Sequence, residues 1–230
     1  MDWINEGEFK KGGRYKVRRL SLNDMSEILV VQEEVADQLT DKDSLAALSE
    51  EEFKYILSGN GLMLGVFVDN QLIAFRALLV PAIDNEHLGW DIGLSEDDLA
   101  KVIYQEISCV LPTFRGNGLQ KILAGIIMEE LSTQNHPYRY ICCTVAPFNI
   151  PSLKDKFAQG MHINAVKEKY GGRLRYIFVL DLEENNENEN RSNVHVKMED
   201  IDAQKLLFTQ GKRCIAMEAK DDGYWLYFSR

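Results

Sequence analysis

At 230 residues, with 45% hydrophobic and 27% charged side chains, the chain has an ordinary globular composition and is long enough for one large domain or a domain with an appendage. No apolar run approaches the roughly 18 residues needed to span a bilayer, and Met1 to Glu8 carries no cationic-then-apolar signal pattern, so a cytoplasmic protein with no membrane partner is expected. A formal net charge of −10 argues against general nucleic-acid binding, whose main affinity term needs clustered cations, and reads first as solubility.

In chain order, Tyr15 to Leu20 alternates as a first strand. Ser21 or Asn23 caps the helix that follows, with Met25, Ile28, Leu29, Gln32, Val35, Ala36 and Leu39 along one face. Ser49-Glu50-Glu51-Glu52 has a capping-box pattern and opens a second helix, which carries Phe53, Ile56 and Leu57 and ends near Gly59. Leu62 to Val68, a tight Asp69-Asn70 turn, and Leu72 to Val80 make a hairpin. Pro81 to Gly93 reads as a polar loop, and Ser95 starts a short helical turn.

The run Val102 to Leu111 is rich in β-branched and apolar residues, which suits a strand, and Pro112 removes the donor that would continue it. Beyond Gly118, Leu119, Ile122, Leu123, Ile126, Ile127 and Leu131 recur at the spacing of a buried helical face. Between strand and helix, Gly116 and Gly118 permit backbone conformations closed to other residues and let a ligand approach the main chain. The first amides of a helix have no intrahelical acceptor and sit at the positive end of its dipole, and Arg115 adds a cation; together these make a seat for phosphate. A plain β-to-α connection is the alternative reading of the same glycines. The Walker pattern Gly-x-x-x-x-Gly-Lys-Ser/Thr is absent, which weakens a nucleotide-binding reading.

Further on, Tyr140 to Val145 suits an interior strand, and Asn149, Pro151 and Ser152 mark a helix start with Pro151 where its missing donor does no harm. Ile163 to Tyr170 and Leu174 to Leu182 flank Gly171-Gly172 as a long hairpin. Glu183 to Asn190 is poor in apolar residues and reads as a linker. After it come a strand at Val194 to Met198, a helix from Asp202 to Thr209, and a hairpin of Cys214 to Met217 with Tyr224 to Phe228. The resulting division is residues 1–182, an acidic Asn/Glu-rich linker 183–193, and a small β-α-β-β appendage 194–230. About forty residues cannot make a strong core alone. The appendage is expected to pack on the first domain or on a second copy, which leaves a homodimer open. Cys109, Cys142, Cys143 and Cys214 contain no C-x-x-C pair and read as buried thiols, and the four histidines lack ligand spacing, so no metal is assigned.

The stretch Cys109 to Leu123 resembles the acetyl-CoA signature of the GNAT superfamily of N-acetyltransferases, in which Val-x-Pro is followed, after two residues, by Arg or Gln-x-x-Gly-x-Gly or Ala. Val110, Pro112, Arg115 and Gly118 match in residue and spacing; Gln120 stands where the pattern has Gly or Ala. The chain is similar to uncharacterised bacterial members that share Arg-Gly-Asn-Gly-Leu-Gln and Tyr-Gly-Gly-x-Leu-Arg-Tyr. The resemblance implies an α+β fold in the order βααββ(α)βαβαββ from Tyr15 to Leu182: a mixed, mostly antiparallel central sheet flanked by helices.

It also implies an acyltransferase that moves an acetyl group from acetyl-CoA to a primary amine by direct attack. By position, main-chain groups of Ser108, Cys109 and Val110 meet the pantetheine and thioester. The amides from Arg115 through Gly116, Asn117, Gly118, Leu119 and Gln120 meet the pyrophosphate, and Asn149 lies near the pantetheine arm or is a helix cap.

For the proton taken from the amine, side-chain alternation puts Glu106 on the strand face of Ser108 and Val110. It is the preferred general base, Tyr104 two residues earlier is a second candidate, and a polar residue near a strand end is the alternative reading. The family's thiolate-protonating tyrosine falls seven residues after Asn149, where this chain has Lys156. A non-catalytic acyl-CoA binding or sensing protein is therefore the rival expectation. Arg173 and Arg175 read as a solvated hairpin face, with an anionic acceptor as the alternative.

Overall fold

The computed structural model describes residues 2–9, 12–39, 45–184 and 191–229, with no side chains for 191–193. In chain order the elements are β1 (Asn5–Glu8), β2 (Arg14–Arg19), α1 (Met25–Asp37), α2 (Glu50–Leu57), β3 (Gly61–Val68), β4 (Gln71–Leu79), α3 (Leu88–Asp91), α4 (Glu96–Leu99), β5 (Val102–Val110), α5 (Leu119–Ser132), β6 (Tyr140–Val145), α6 (Ile150–Ala158), β7 (His162–Lys169), β8 (Arg173–Asp181), β9 (Arg191–Lys197), α7 (Ile201–Thr209), β10 (Cys214–Lys220) and β11 (Gly223–Ser229). Two compact units result, one of residues 1–81 and 104–136 and the other of 82–103 and 137–230. Each is an antiparallel sheet with helices packed on it, an α+β construction.

In the first unit the strand order is β1-β2-β3-β4-β5. The β3–β4 hairpin turns at Asp69 and Asn70, whose φ values of 49° and 66° are the left-handed pair that matches the twist of tight hairpins. Phe75 and Arg76, adjacent on β4, point to opposite faces. Phe53 of α2 meets Phe75 edge-on with ring centroids 5.9 Å apart, and Arg76 reaches the first turn of α5. The helix α2 and the start of α5 therefore cover opposite faces of the sheet. Ser49 and Glu52 form the expected capping box.

Three local expectations change in this unit. The N-terminal residues form the edge strand β1, too short and polar to be read from alternation. A single 3-10 turn, Leu22–Asp24, precedes α1; Ser21, one of the two expected caps, stands at the N-cap of that turn, and Asp24, not Asn23, at the cap of α1. Asp24 holds Arg18 of β2 through paired contacts of 2.6 and 3.0 Å, which ties the strand to the helix entry. On α1 the buried face is Ile28, Val31, Gln32 and Val35, while Met25, Leu29, Ala36 and Leu39 are only partly covered.

In the second unit the order is β6-β8-β7-β10-β11-β9. The loop 81–93 contains the short helix α3, where the Nδ1 of buried His87 accepts the Gly89 amide at 3.1 Å. The β7–β8 hairpin turns through Tyr170, Gly171 and Gly172, all with positive φ. Arg175, expected on a solvated face, is buried. The linker expectation for 185–190 lies outside the described residues, and residues 191–193 already belong to β9.

The last segment joins this unit by strand pairing and by a buried amide. Cys214 of β10 pairs with Ile163 of β7. Gln204 of α7, fully buried, accepts from the Tyr176 hydroxyl at 2.9 Å and donates to Lys197 O and Met198 O at 3.0 and 2.8 Å. A side chain with both donors and its acceptor used is costly to truncate, because its partners stay buried. We predict that Gln204→Leu lowers stability by on the order of 2 kcal/mol in urea unfolding; a change within about 0.5 kcal/mol, typical of surface positions, would count against the amide as the fastening of α7.

Candidate functional site

The first unit brings one set of sequence-singled residues together, on β5 and in the turn that leaves it. Strand β5 pairs with β4 as Ala74↔Val110, Phe75↔Cys109, Arg76↔Ser108 and Ala77↔Ile107, then slips to Leu78↔Gln105 and Leu79↔Tyr104. Glu106 is the residue without a partner across the ladder: a β-bulge, which bends the strand and re-aims a side chain.

The bulge corrects the alternation argument. Directly opposed residues share a face, and Leu79 and Arg76, three apart, lie on opposite faces of β4. Tyr104, opposite Leu79, is therefore not on the face of Ser108, opposite Arg76. A one-residue slip of this kind leaves no mark in the composition of Val102 to Val110.

Glu106 is half-buried. Burial, and secondarily the Glu52 carboxylate at the start of α2, push its carboxyl up to about 7. Cys109 is fully buried, and burial pushes its thiol up to about 12 against a small opposing effect of Arg115. The Ser108 hydroxyl is buried with no hydrogen-bond partner among the described residues, an orphaned polar atom on the same strand.

Past β5, Leu111 N donates to Ile73 O at 2.9 Å, and a single 3-10 turn, Pro112–Phe114, begins the reversal. Gly116 and Gly118 have φ of 81° and 76°, with open space around the position a Cβ would occupy. The Asn117 side chain donates to Phe114 O at 3.0 Å and closes the turn. Helical bonding starts with Ile122 N to Gly118 O, at 3.0 Å, so the amides of Leu119, Gln120 and Lys121 lie before the first helical bond. No acceptor is found for the Gly116, Asn117 and Gly118 amides among the described residues. A run of unused amides at the head of a 14-residue helix is what an anionic group needs.

Arg115 departs from expectation in two ways. Its amide is used, donating to Pro112 O at 3.2 Å, so the free run begins at Gly116. Its exposed side chain folds back, with Nε 3.4 Å from Val110 O.

In the second unit Asn149 caps α6, its Oδ1 accepting from Ser152 N at 3.2 Å. Lys156, in the last turn of α6, is buried with Nζ 3.6 Å from the Asp155 carboxylate. Phe157 beside it packs edge-on against Phe178. No group of three potential metal ligands occurs among the described residues, and no described helix is long and apolar enough to cross a membrane.

The residue that sequence reasoning missed is Arg76. It is 1% exposed, and its Nη2 donates to Gln105 Oε1 at 2.7 Å while its Nη1 lies 3.4 Å from Gln120 O. Its one sequence signal is a lone cation inside an otherwise apolar strand.

The raised carboxyl of Glu106 fixes a pH dependence. The folded chain keeps this proton above the unfolded value of 4.5, so its contribution to stability is complete below pH 4.5 and is lost as pH rises towards about 7. Relative to Glu106→Gln, the wild type should lose on the order of 3 kcal/mol at most across that interval, read from urea unfolding at successive pH values. Parallel curves for the two proteins would mean that the carboxyl is not perturbed.

No protein-family model and no curated protein matches the sequence. Solved structures do match in fold. An acetyltransferase of the GNAT family from Streptococcus pneumoniae is 15% identical with a TM-score of 0.55, over 73% of this chain and 99% of that one. An N-acetyltransferase from Staphylococcus aureus Mu50 is 14% identical at a TM-score of 0.56, over 74% and 99%. Arabidopsis thaliana NAA60, crystallised with acetyl-CoA, is 15% identical at a TM-score of 0.57, over 74% and 99%. These likenesses in fold establish that the chain has the fold of the GNAT acetyltransferases.

Proposed function

We propose that the chain is an acetyl-CoA-dependent N-acetyltransferase acting on a primary amine by direct attack. The observation that carries this reading is the run of unused amides from Gly116 to Gln120 at the head of α5, which suits a diphosphate. A relative in fold, Arabidopsis thaliana NAA60, is described in complex with acetyl-CoA, which supports the same ligand here. The residues fit the group: open space surrounds Gly116 and Gly118, and the buried Ser108 hydroxyl on β5 has a hydrogen bond to offer.

Acyl transfer to an amine forms a C–N bond, breaks the C–S bond and moves one proton from nitrogen. Glu106, with its carboxyl near 7, is half-ionised close to neutral pH and is the group we assign to accept that proton, directly or through water. Its bulged position gives the carboxylate a setting that the regular pairs on either side lack.

A covalent route through cysteine is disfavoured. The thiols of Cys109, Cys142 and Cys214 are buried and held protonated, each raised chiefly by desolvation. Direct attack needs no such nucleophile.

A second reading, acyl-CoA binding without transfer, is favoured by one observation: buried Lys156, with Asp155 beside it, stands where the family resemblance puts a tyrosine acid. Thiol release in the presence of a panel of amines separates the two. Acceptor-dependent CoA production supports the enzyme, and binding with no release for any amine supports the sensor.

For the cradle, CoA at about 100 times its Kd should stabilise the wild type by roughly 2.7 kcal/mol in thermal unfolding. Gly118→Asp puts a side chain and a negative charge into the left-handed turn and should abolish that gain. Full retention of the shift would remove the diphosphate from this turn.

A further inference from the structure

We propose that Arg76 is a positioning residue that locks the anion-binding turn at α5 to the bulged carboxylate of β5, so that ligand binding and the setting of Glu106 share one buried guanidinium. This rests on the acetyl-transfer reading and deepens it.

Arg76 heads the fully buried side chains by size among the described residues. An arginine cannot escape burial by losing its proton, so a guanidinium in a core is retained for the bonds that its rigid planar fork makes. Two of these reach elements far apart in sequence. Nη2 donates to Gln105 Oε1 at 2.7 Å, one residue before the bulged Glu106. Nη1 points to Gln120 O at 3.4 Å, in the turn whose amides are proposed to hold the diphosphate.

The bulge interrupts the ladder at Glu106, and Gln105 is one of the two residues that bound it. A side-chain bond at Gln105 therefore restrains the bulge at a point where backbone pairing is disturbed. At the other end, a donor on Gln120 O fixes the orientation of the first turn of α5. The guanidinium also adds positive charge beside a helix terminus that is already positive, which reinforces its attraction for an anion. One planar group thus acts on both parts, whereas a lysine has a single ammonium on a flexible stem and cannot serve both directions with the same rigidity.

The test uses the full chain and two readouts that do not require turnover: CoA affinity by calorimetry, and the apparent pKa of Glu106 by carbon-13 NMR titration, with Glu106→Gln for assignment. In Arg76→Lys the CoA Kd should rise about tenfold, the scale of one charge-assisted hydrogen bond, and the Glu106 titration should move from near 7 toward the ordinary carboxylate range. In Gln105→Leu, which cuts only the β5 arm, the titration should move in the same direction while the CoA Kd stays within about twofold of wild type.

An unchanged Kd in Arg76→Lys, or an unchanged Glu106 titration in Gln105→Leu, would overturn the proposal. If Arg76→Lys fails to fold, Arg76→Gln carries the affinity readout for the α5 arm and Gln105→Leu the titration readout for the β5 arm, and an unchanged value in either overturns the proposal. A wild-type chain that binds no CoA removes the acetyl-transfer reading and this inference together; wild-type binding with insensitive variants removes the inference alone.

Discussion

The pairing of β5 with β4 is the constraint on which the site depends. It fixes Ser108 and Val110 opposite Arg76 and Ala74, it leaves Glu106 over as a bulge, and it delivers the chain at Leu111 to the point where Pro112 stops the ladder. The glycine turn that follows can be positioned only because the strand before it is held. Leu119, Leu123 and Ile127 then bury one side of α5, so the helix that presents the amides is anchored by its own apolar face.

The electrostatics follow from that geometry. Burial, and secondarily the charge of the Glu52 carboxylate, let the Glu106 carboxyl keep its proton to about pH 7, whereas an exposed glutamate would not. The same desolvation pushes the thiol three residues on, Cys109, up to about 12, away from reactivity. Burial on a single strand thus leaves a carboxyl that titrates near neutral pH and a thiol that stays protonated. Meanwhile the amides at the head of α5 have no acceptor among the described residues, a state suited to an anion.

Much of this was legible in the residues. The strand, stop, glycine turn and helix from Val102 to Ser132 are dictated by local chemistry: β-branched residues, a proline without a donor, two glycines at positive φ, and a helical apolar repeat. The capping box at Ser49 and the Asp69-Asn70 turn are local in the same sense and came out as expected. What sequence could not carry were features set across strands. The slip at Glu106 exists only in the register against β4, so alternation put Tyr104 on the wrong face. The role open to Arg76 depends on Gln105 and Gln120 meeting it from two other elements. Arg175 was missed for a related reason, since a polar residue buried through tertiary contacts reads as surface, and the four-residue helix at Leu88–Asp91 is too short to show a helical repeat.

The central claim is that the backbone from Gly116 to Gln120 holds the phosphates of the acyl donor. Amide hydrogen exchange across this turn, followed by NMR with and without CoA, tests it most directly. These amides are expected to exchange freely in the unliganded chain and to become protected when CoA is added, while surface amides remote from the turn do not. Protection elsewhere on the chain, with Gly116 to Gln120 still exchanging at their unliganded rates, would contradict it.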